Sequence, residues 1–187
     1  GMSHLGTRIL YHTINERKNT YCERVFAPWP DMETLMRKSD IKLFTLETKT
    51  PLDQFDMLGF TLQYEMSYTN ILNMLNMGGI PLRASERTEK DPLVIAGGPC
   101  AYNPEPLYDI VDIFQLGEGE EGLNDLLDLY QKHKDNFNKE AYLREASHIP
   151  SVYIPSLYDV TYNEDGTIKE FIPKYDDVPK KVKKRII

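Results

Sequence analysis

The sequence has few cysteines and no long apolar segment. Only two of its 187 residues are cysteine, Cys22 and Cys100, and they stand far apart, so neither a disulfide framework nor a metal-ligand spacing is predicted. No apolar run approaches the roughly 20 residues that a transmembrane helix needs, and no signal-peptide pattern opens the chain. We therefore expect a cytoplasmic protein that does not span a membrane.

Positive charge is also scarce. The 22 lysines and arginines stand against 29 aspartates and glutamates, which gives a formal net charge of -7. Nucleic acid is therefore not expected as a partner, because phosphate binding needs clustered Lys and Arg. One basic cluster at 180–185 is predicted to be a solvated linker, with a nucleic-acid contact as the alternative.

Short apolar runs alternate with amphipathic segments along most of the chain. This alternation predicts an α/β fold with a doubly wound, mostly parallel, flavodoxin-like sheet. The predicted elements are a helix at 4–16 with Leu5, Ile9 and Leu10 on its inner face, a strand at 21–27, a short helix capped by Asp31, a strand at 57–62, a helix capped by Ser67 and ended by Gly78 and Gly79, strands at 93–96 and 113–116, a helix carrying Leu123 and Leu126, and a helix capped by Asn138.

The pattern changes after residue 150. Three β-rich segments follow, at 152–154, 158–162 and 167–172, and Asn163-Glu164-Asp165-Gly166 is a hairpin signal. We therefore divide the chain into an α/β domain at 1–149 and a β-hairpin with a basic linker at 150–187.

One strand of this fold is missing from the pattern. In a flavodoxin-like sheet the strand order is 2-1-3-4-5, so the first strand lies near the centre. This sequence instead opens with a predicted helix. A gap would leave the backbone groups of both neighbouring strands unpaired. We hypothesise that the first strand lies upstream, and that this chain compensates by forming a homodimer or by inserting its own C-terminal hairpin.

Four loops lie where such a sheet binds ligands, outside the carboxyl ends of its strands. Their glycines allow close backbone approach to a ligand, but they serve tight turns equally well, and both interpretations stay open. No Ser/His/Asp order, carboxylate pair or His/Cys cluster stands out, so we assign no catalytic or metal-binding residue. Cys100 is either a reactive thiol or a small buried hydrophobe. The four loops are 3–6, 63–68, 97–105 and 117–120.

The loops and the start of the chain carry a resemblance. The stretches concerned are 59–65, 68–70, 94–99, Asn103-Pro104-Glu105-Pro106, Gly117-Glu118-Gly119-Glu120, Met2-Ser3-His4-Leu5-Gly6 and 27–32. The first five of these stretches resemble the N-terminal domains of radical SAM proteins of the cobalamin-binding subclass, and the last two resemble one bacterial branch of that group.

The resemblance implies a cobalamin-binding-like domain that packs over the radical SAM barrel of the same full-length chain. It also implies that a cobalamin nucleotide tail would lie in the crevice at the strand ends. The four-iron cluster and S-adenosylmethionine are expected only in the downstream barrel. The residues that the resemblance assigns to cofactor binding are Thr61, Gln63, Tyr64, Gly97, Gly98, Pro99, Gly117 and Gly119.

Two departures limit what the resemblance implies. The Asp-x-His-x-x-Gly motif of cobalamin mutases is absent, which removes axial ligation by that motif but not cobalamin itself. The three-cysteine motif of radical SAM catalysis is also absent, so this chain alone is not expected to hold a four-iron cluster or to act as an enzyme.

Three functions remain open from the sequence. The first is a non-catalytic accessory domain that binds cobalamin or a related ligand, or that gates the barrel. The alternative is a ligand-free interaction scaffold that kept the fold, and the bulky, acidic loop 63–66 favours it, since a cobalamin floor needs small residues. A nucleotide-binding module is weaker, because Glu118 and Glu120 would repel phosphate.

Overall fold

The computed structural model describes residues 5–185, so His4 and the first half of the loop at 3–6 lie outside the described residues. No helix in this part of the chain is long and apolar enough to cross a membrane. The helices are α1 (Leu5–Asn15), α2 (Pro30–Lys38), α3 (Tyr68–Met77), α4 (Gly119–His133) and α5 (Lys139–Ala146), and the strands are β1 (Met57–Thr61), β2 (Leu93–Gly97), β3 (Ile113–Gln115), β4 (Val152–Tyr153), β5 (Tyr158–Tyr162) and β6 (Ile168–Pro173).

The main sheet has the order β1-β2-β3-β4. Strands β1, β2 and β3 are parallel, and β4 runs antiparallel to β3. All of β3 and the first four residues of β2 are buried, because both strands are covered on both faces of the sheet. The predicted α/β fold with a mostly parallel sheet is therefore confirmed.

The C-terminal hairpin of β5 and β6 forms a separate, antiparallel two-stranded sheet. At its turn the amide of Asn163 donates to the carbonyl of Thr167 at 2.8 Å, which confirms the hairpin signal. The hairpin does not enter the main sheet, so the expectation that it fills a gap there is wrong. The hairpin instead packs sideways, with the ring of Phe171 lying 5.8 Å from that of Tyr153 in β4.

The predicted strand at 21–27 is wrong. Side chains rather than a neighbouring strand hold this segment: the Asn15 amide group bonds to both backbone groups of Cys22, at 2.9 and 3.1 Å. The amide of Arg24 donates to the Glu47 carboxylate, and its carbonyl accepts from Leu46 at 2.8 Å. Because the backbone groups of this segment bond to side chains and to a loop, they form no hydrogen-bond ladder with another strand.

Helix α1 is present, but its predicted inner face is not buried. Leu5 is 68% exposed and Ile9 39% exposed, and α1 contains no buried residue. By contrast, Ile71, Met74 and Leu75 of α3 are buried, as the apolar stripe predicts.

Two of the three predicted caps are wrong in detail. Helix α2 begins at Pro30, directly after Trp29, so Asp31 lies inside the first turn. Ser67 stands at the cap position of α3, but its hydroxyl donates backward to the Tyr64 carbonyl. Asn138 is a true cap, because its side chain accepts from the Ala141 amide at 2.8 Å.

A buried ion cluster fixes the amino ends of β2 and β3. The Asp112 carboxylate, with a side chain 1% exposed, lies 3.0 Å from both the Arg87 guanidinium and the Lys139 ammonium. It also accepts from the Val94 amide at 2.8 Å. This cluster lies at the opposite ends of the strands from the predicted crevice, so its role is structural.

Candidate functional site

The carboxyl ends of β1, β2 and β3 lie level at one edge of the sheet. The parallel register places Thr61 beside Gly97, and Gly97 beside Gln115. The loops that follow these residues, at 62–68, 98–105 and 116–118, therefore lie side by side, and we call this edge the rim. The residues assigned to cofactor binding all lie on it or at its margin.

The glycine pair at the end of β2 is packed against the loop after β1. The Leu62 amide donates to the Gly97 carbonyl at 2.7 Å, and the Leu62 carbonyl accepts from Cys100 at 3.0 Å. Gly98 has a φ of +102°, and a side-chain carbon on it would meet the Leu62 carbonyl oxygen at 2.9 Å. The chain's own backbone thus fills the space that Gly98 leaves, while Pro99 is exposed.

The second glycine turn is covered by the C-terminal strap, which we define as residues 182–185. Arg185 pairs with this turn: its amide donates to the Leu116 carbonyl at 3.0 Å, and its carbonyl accepts from Glu118 at 3.4 Å. A side chain on Gly117, where φ is +94°, would collide with the Arg185 backbone. Gly119 begins α4 beside the side chain of Leu10 in α1.

Electrostatics hold the strap in place. The Arg185 guanidinium lies 2.9 Å from the Asp125 carboxylate and 3.7 Å from that of Glu121, both on α4. The Arg185 side chain is 18% exposed. The basic cluster at 180–185 is therefore not wholly a solvated linker, although Lys183 and Lys184 are exposed as expected. The reason is that α4 presents carboxylates toward the end of the chain.

Exposed apolar side chains surround these turns. Tyr64 is 57% exposed and Met66 is 83% exposed on the loop after β1, and Tyr102 is 54% exposed on the loop after β2. Thr61 and Gln63 are exposed as well. Such clustering of aromatic and methionine side chains is typical of a surface that contacts another protein.

Cys100 lies on the rim near Glu65 and Tyr68. Burial, together with the Glu65 charge and a hydrogen bond to that carboxylate, raises the pKa of the Cys100 thiol. The pKa of Tyr68 is raised as well, chiefly by burial and then by Cys100. Because thiolate is the nucleophilic form, this environment disfavours a reactive cysteine.

Gln115 is a rim residue that the sequence analysis does not single out. Its side chain is buried at the end of β3, where Nε2 donates to the Ser151 hydroxyl at 2.6 Å and Oε1 has no hydrogen-bond partner among the described residues. Gly122 of α4 leaves the room for this side chain. A small residue on the helix opposite a polar residue at a strand end is the only signal that could have indicated it.

The fit to the implied cofactors can be tested on these contacts. A cobalamin tail needs open space at the strand-end glycines, but the backbones of Leu62 and Arg185 already fill the space at Gly98 and Gly117. Cobalamin binding thus stays a prediction, and the filled spaces at these two glycines do not favour it. Within residues 5–185, no group of three or more His, Cys, Asp or Glu side chains could hold a metal ion.

The chain is similar to a known protein family. A family model described as radical SAM proteins, N-terminal, matches residues 6–155, which is well over half of the chain. No curated protein and no solved structure matches the chain significantly.

Proposed function

The chain belongs to the family of radical SAM N-terminal domains, and from this premise we propose that it is a non-catalytic accessory domain whose rim contacts and gates a radical SAM barrel. The four-iron cluster and S-adenosylmethionine would then belong to the barrel. The sequence contains two cysteines, Cys22 and Cys100, and both are free, which is fewer than the three cysteine ligands of such a cluster.

The pairing of Arg185 with the turn at Gly117 is the observation that carries this proposal. It makes the strap run along the carboxyl end of β3, so the described residues end beside the rim at Arg185. A short connection favours contact between neighbouring domains, because the linked partner is held at a high effective concentration. A barrel joined to this chain by a short connection would be held close to the rim in the same way.

The composition of the rim supports the same partner. Tyr64, Met66 and Tyr102 expose apolar surface around turns whose glycine spaces are already filled. A protein surface can cover such side chains, whereas a small ligand needs a concave space between them. The rim therefore suits a protein contact better than it suits the cobalamin tail.

Hydrogen exchange on the longer radical SAM protein and on the 187-residue chain tests the contact. We expect the amides at 63–66 and 100–103 to exchange more slowly in the longer protein, and those of the hairpin turn at 163–167 to exchange equally in both. Equal exchange of the rim amides in the two proteins would refute the proposed contact.

Substitution separates gating from simple attachment. Met66→Asp places a charge on the rim at an exposed position, so the melting temperature of the isolated chain should not change. In the longer protein we expect it to alter the rate of 5′-deoxyadenosine formation. Ile168→Asp, on the hairpin and 47% exposed, is the matched control and should leave that rate unchanged. A Met66→Asp protein with an unaltered rate would leave only the scaffold function.

The cobalamin alternative has its own measurement. Hydroxocobalamin added to the 187-residue chain should give no shift in the visible spectrum if the glycine turns stay filled. A saturable shift that Gly98→Ala abolishes would restore cobalamin binding as the function of the rim.

A further inference from the structure

The outer edge of β1 carries backbone groups with no strand beside them. Among residues 5–185, β2 is the only strand that pairs with β1. The Asp56 carbonyl accepts from Leu93 at 3.0 Å, and the Leu62 amide donates to Gly97 at 2.7 Å, so the even-numbered residues face β2. Since the direction alternates along a strand, the N–H and C=O groups of Met57, Gly59 and Thr61 point outward.

The sheet face above this edge is also uncovered. Gly59 and Thr61 are exposed, and a side-chain carbon on Gly59 would meet no atom within 4 Å. By contrast, Ile95, which lies beside Gly59 in β2, is only 5% exposed. A parallel strand is normally covered on both faces, so an element is lacking above β1 as well as beside it.

Helix α1 indicates what that element is. Near the rim the Leu10 side chain lies next to Gly119, the first residue of α4, and farther along Arg17 bonds to Asn124 at 3.0 Å and to Asp128. Helix α1 therefore starts at the rim and runs in the same direction as α4. Because α4 directly follows a strand that ends at the rim, α1 has the geometry of a helix that follows another such strand.

The apolar residues of α1 agree with this position. The helix contains no buried residue, although Leu5, Ile9, Leu10 and Ile14 recur at helical spacing. An amphipathic helix normally buries its apolar stripe on a sheet. Here the stripe lacks a strand to cover.

We propose that the outer edge of β1 receives an apolar strand that runs parallel to it and leads into α1, supplied by residues upstream of Gly1 in the same polypeptide. A strand of five residues and its turn cannot be made from the four residues before α1. A second copy of this chain would meet the edge through a two-fold axis, which makes the pairing antiparallel and leaves α1 uncovered.

Amide exchange resolved by NMR tests the pairing. In the 187-residue chain, the amides of Met57, Gly59 and Thr61 should exchange about 100-fold faster than those of Leu58 and Phe60, which bond to β2. In the polypeptide extended upstream as its gene encodes it, both sets should be slow. Fast exchange of the outward amides in the extended polypeptide, or the lack of an apolar segment upstream, would overturn the proposal.

The same experiment tests whether a second copy of the chain occupies the edge instead. If the outward amides are already slow in the 187-residue chain, and their protection grows with protein concentration together with a dimer mass in light scattering, then the edge belongs to a second copy and our proposal fails. Exchange at Met66 on the rim is a separate readout, because the proposed function predicts a change there only when the downstream barrel is present.

A pair of variants at Gly59 adds a second readout. Gly59→Lys should leave the melting temperature of the 187-residue chain nearly unchanged, because the position is exposed. In the extended polypeptide it would bury an unpaired charge beneath α1 and lower the melting temperature by about 5 °C or more. Gly59→Ala, which adds one carbon in open space, is the control. Equal effects of Gly59→Lys in both polypeptides would contradict the proposed strand.

Discussion

The carbonyl group of Arg185 lies in the space that a side chain on Gly117 would occupy. Two residues far apart in sequence thus meet at the carboxyl end of β3, where the backbone of one pairs with the turn of the other. Glycine is required at position 117 for two reasons: its φ is +94°, and the strap approaches it too closely for a side chain. The end of the described chain is therefore part of the rim.

Substitution of Gly117 should release the strap. In Gly117→Ala the left-handed conformation costs about 1–2 kcal/mol, and the collision with Arg185 adds to it. We expect the amides of Arg185 and Glu118 to exchange faster, and the free energy of unfolding to fall. Gly166→Ala is the control, since φ is +81° there but a side-chain carbon would meet nothing within 4 Å. Equal losses in both variants would mean that the strap does not press on Gly117.

The charge of Arg185 should hold the strap independently of Gly117. Arg185→Gln removes the pair with Asp125, which lies 2.9 Å away and is partly exposed. We expect trypsin to cleave after Lys180 about 2–5-fold faster, because local opening becomes more frequent when a pair worth up to about 1 kcal/mol is lost. Salt should reduce the difference between variant and parent. Lys183→Gln removes the same charge from an exposed side chain and should leave the rate unchanged.

The sequence predicted the elements whose patterns depend on local burial. The run at Leu93–Gly97 is apolar throughout, and the next one begins with the apolar pair Ile113 and Phe114; these two segments form the covered strands. Asn138 was recognisable as a cap because the bond to Ala141 is local. The strand predicted at 21–27 is wrong, because β-branched and aromatic residues favour an extended backbone but do not supply a neighbouring strand to pair with.

The rest depended on contacts between distant parts of the chain. Nothing in the local sequence of Gly117 identifies Arg185 as its neighbour, because the pairing is made by backbone groups that every residue carries. The prediction that Leu5 and Ile9 are buried is wrong for a different reason. Their spacing is correct for a packed helix, but no described strand lies beneath them.

The buried carboxylate of Asp112 should be the most sensitive charged group for stability. Asp112→Asn leaves the Arg87 and Lys139 charges without their partner at sites where the Arg87 side chain is 1% exposed and that of Lys139 14%. We expect a loss of about 3–5 kcal/mol in the free energy of unfolding, measured with denaturant. Asp109→Asn, which breaks an exposed pair with Arg83, should cost at most about 1 kcal/mol. A small loss for Asp112→Asn would mean that water reaches the cluster.

The thiol of Cys22 should titrate far above neutral pH. Burial, followed by the charges of Glu47 and Glu23, raises its pKa from 9.0 to about 11. In a Cys100→Ala background, the alkylation rate should therefore rise with a midpoint near pH 11, and at pH 8 it should be about 100-fold slower than in urea.

The same shift has a consequence for stability, with a definite sign. The fold favours the protonated thiol, so its contribution to the free energy of unfolding is complete below pH 9 and is lost as the pH rises toward 11. Comparison of the parent with Cys22→Ala between pH 8 and 11 isolates this loss from the titration of tyrosines and lysines. An alkylation midpoint near 9 in the folded chain, with no difference in pH dependence between the two proteins, would show that solvent reaches the sulfur freely.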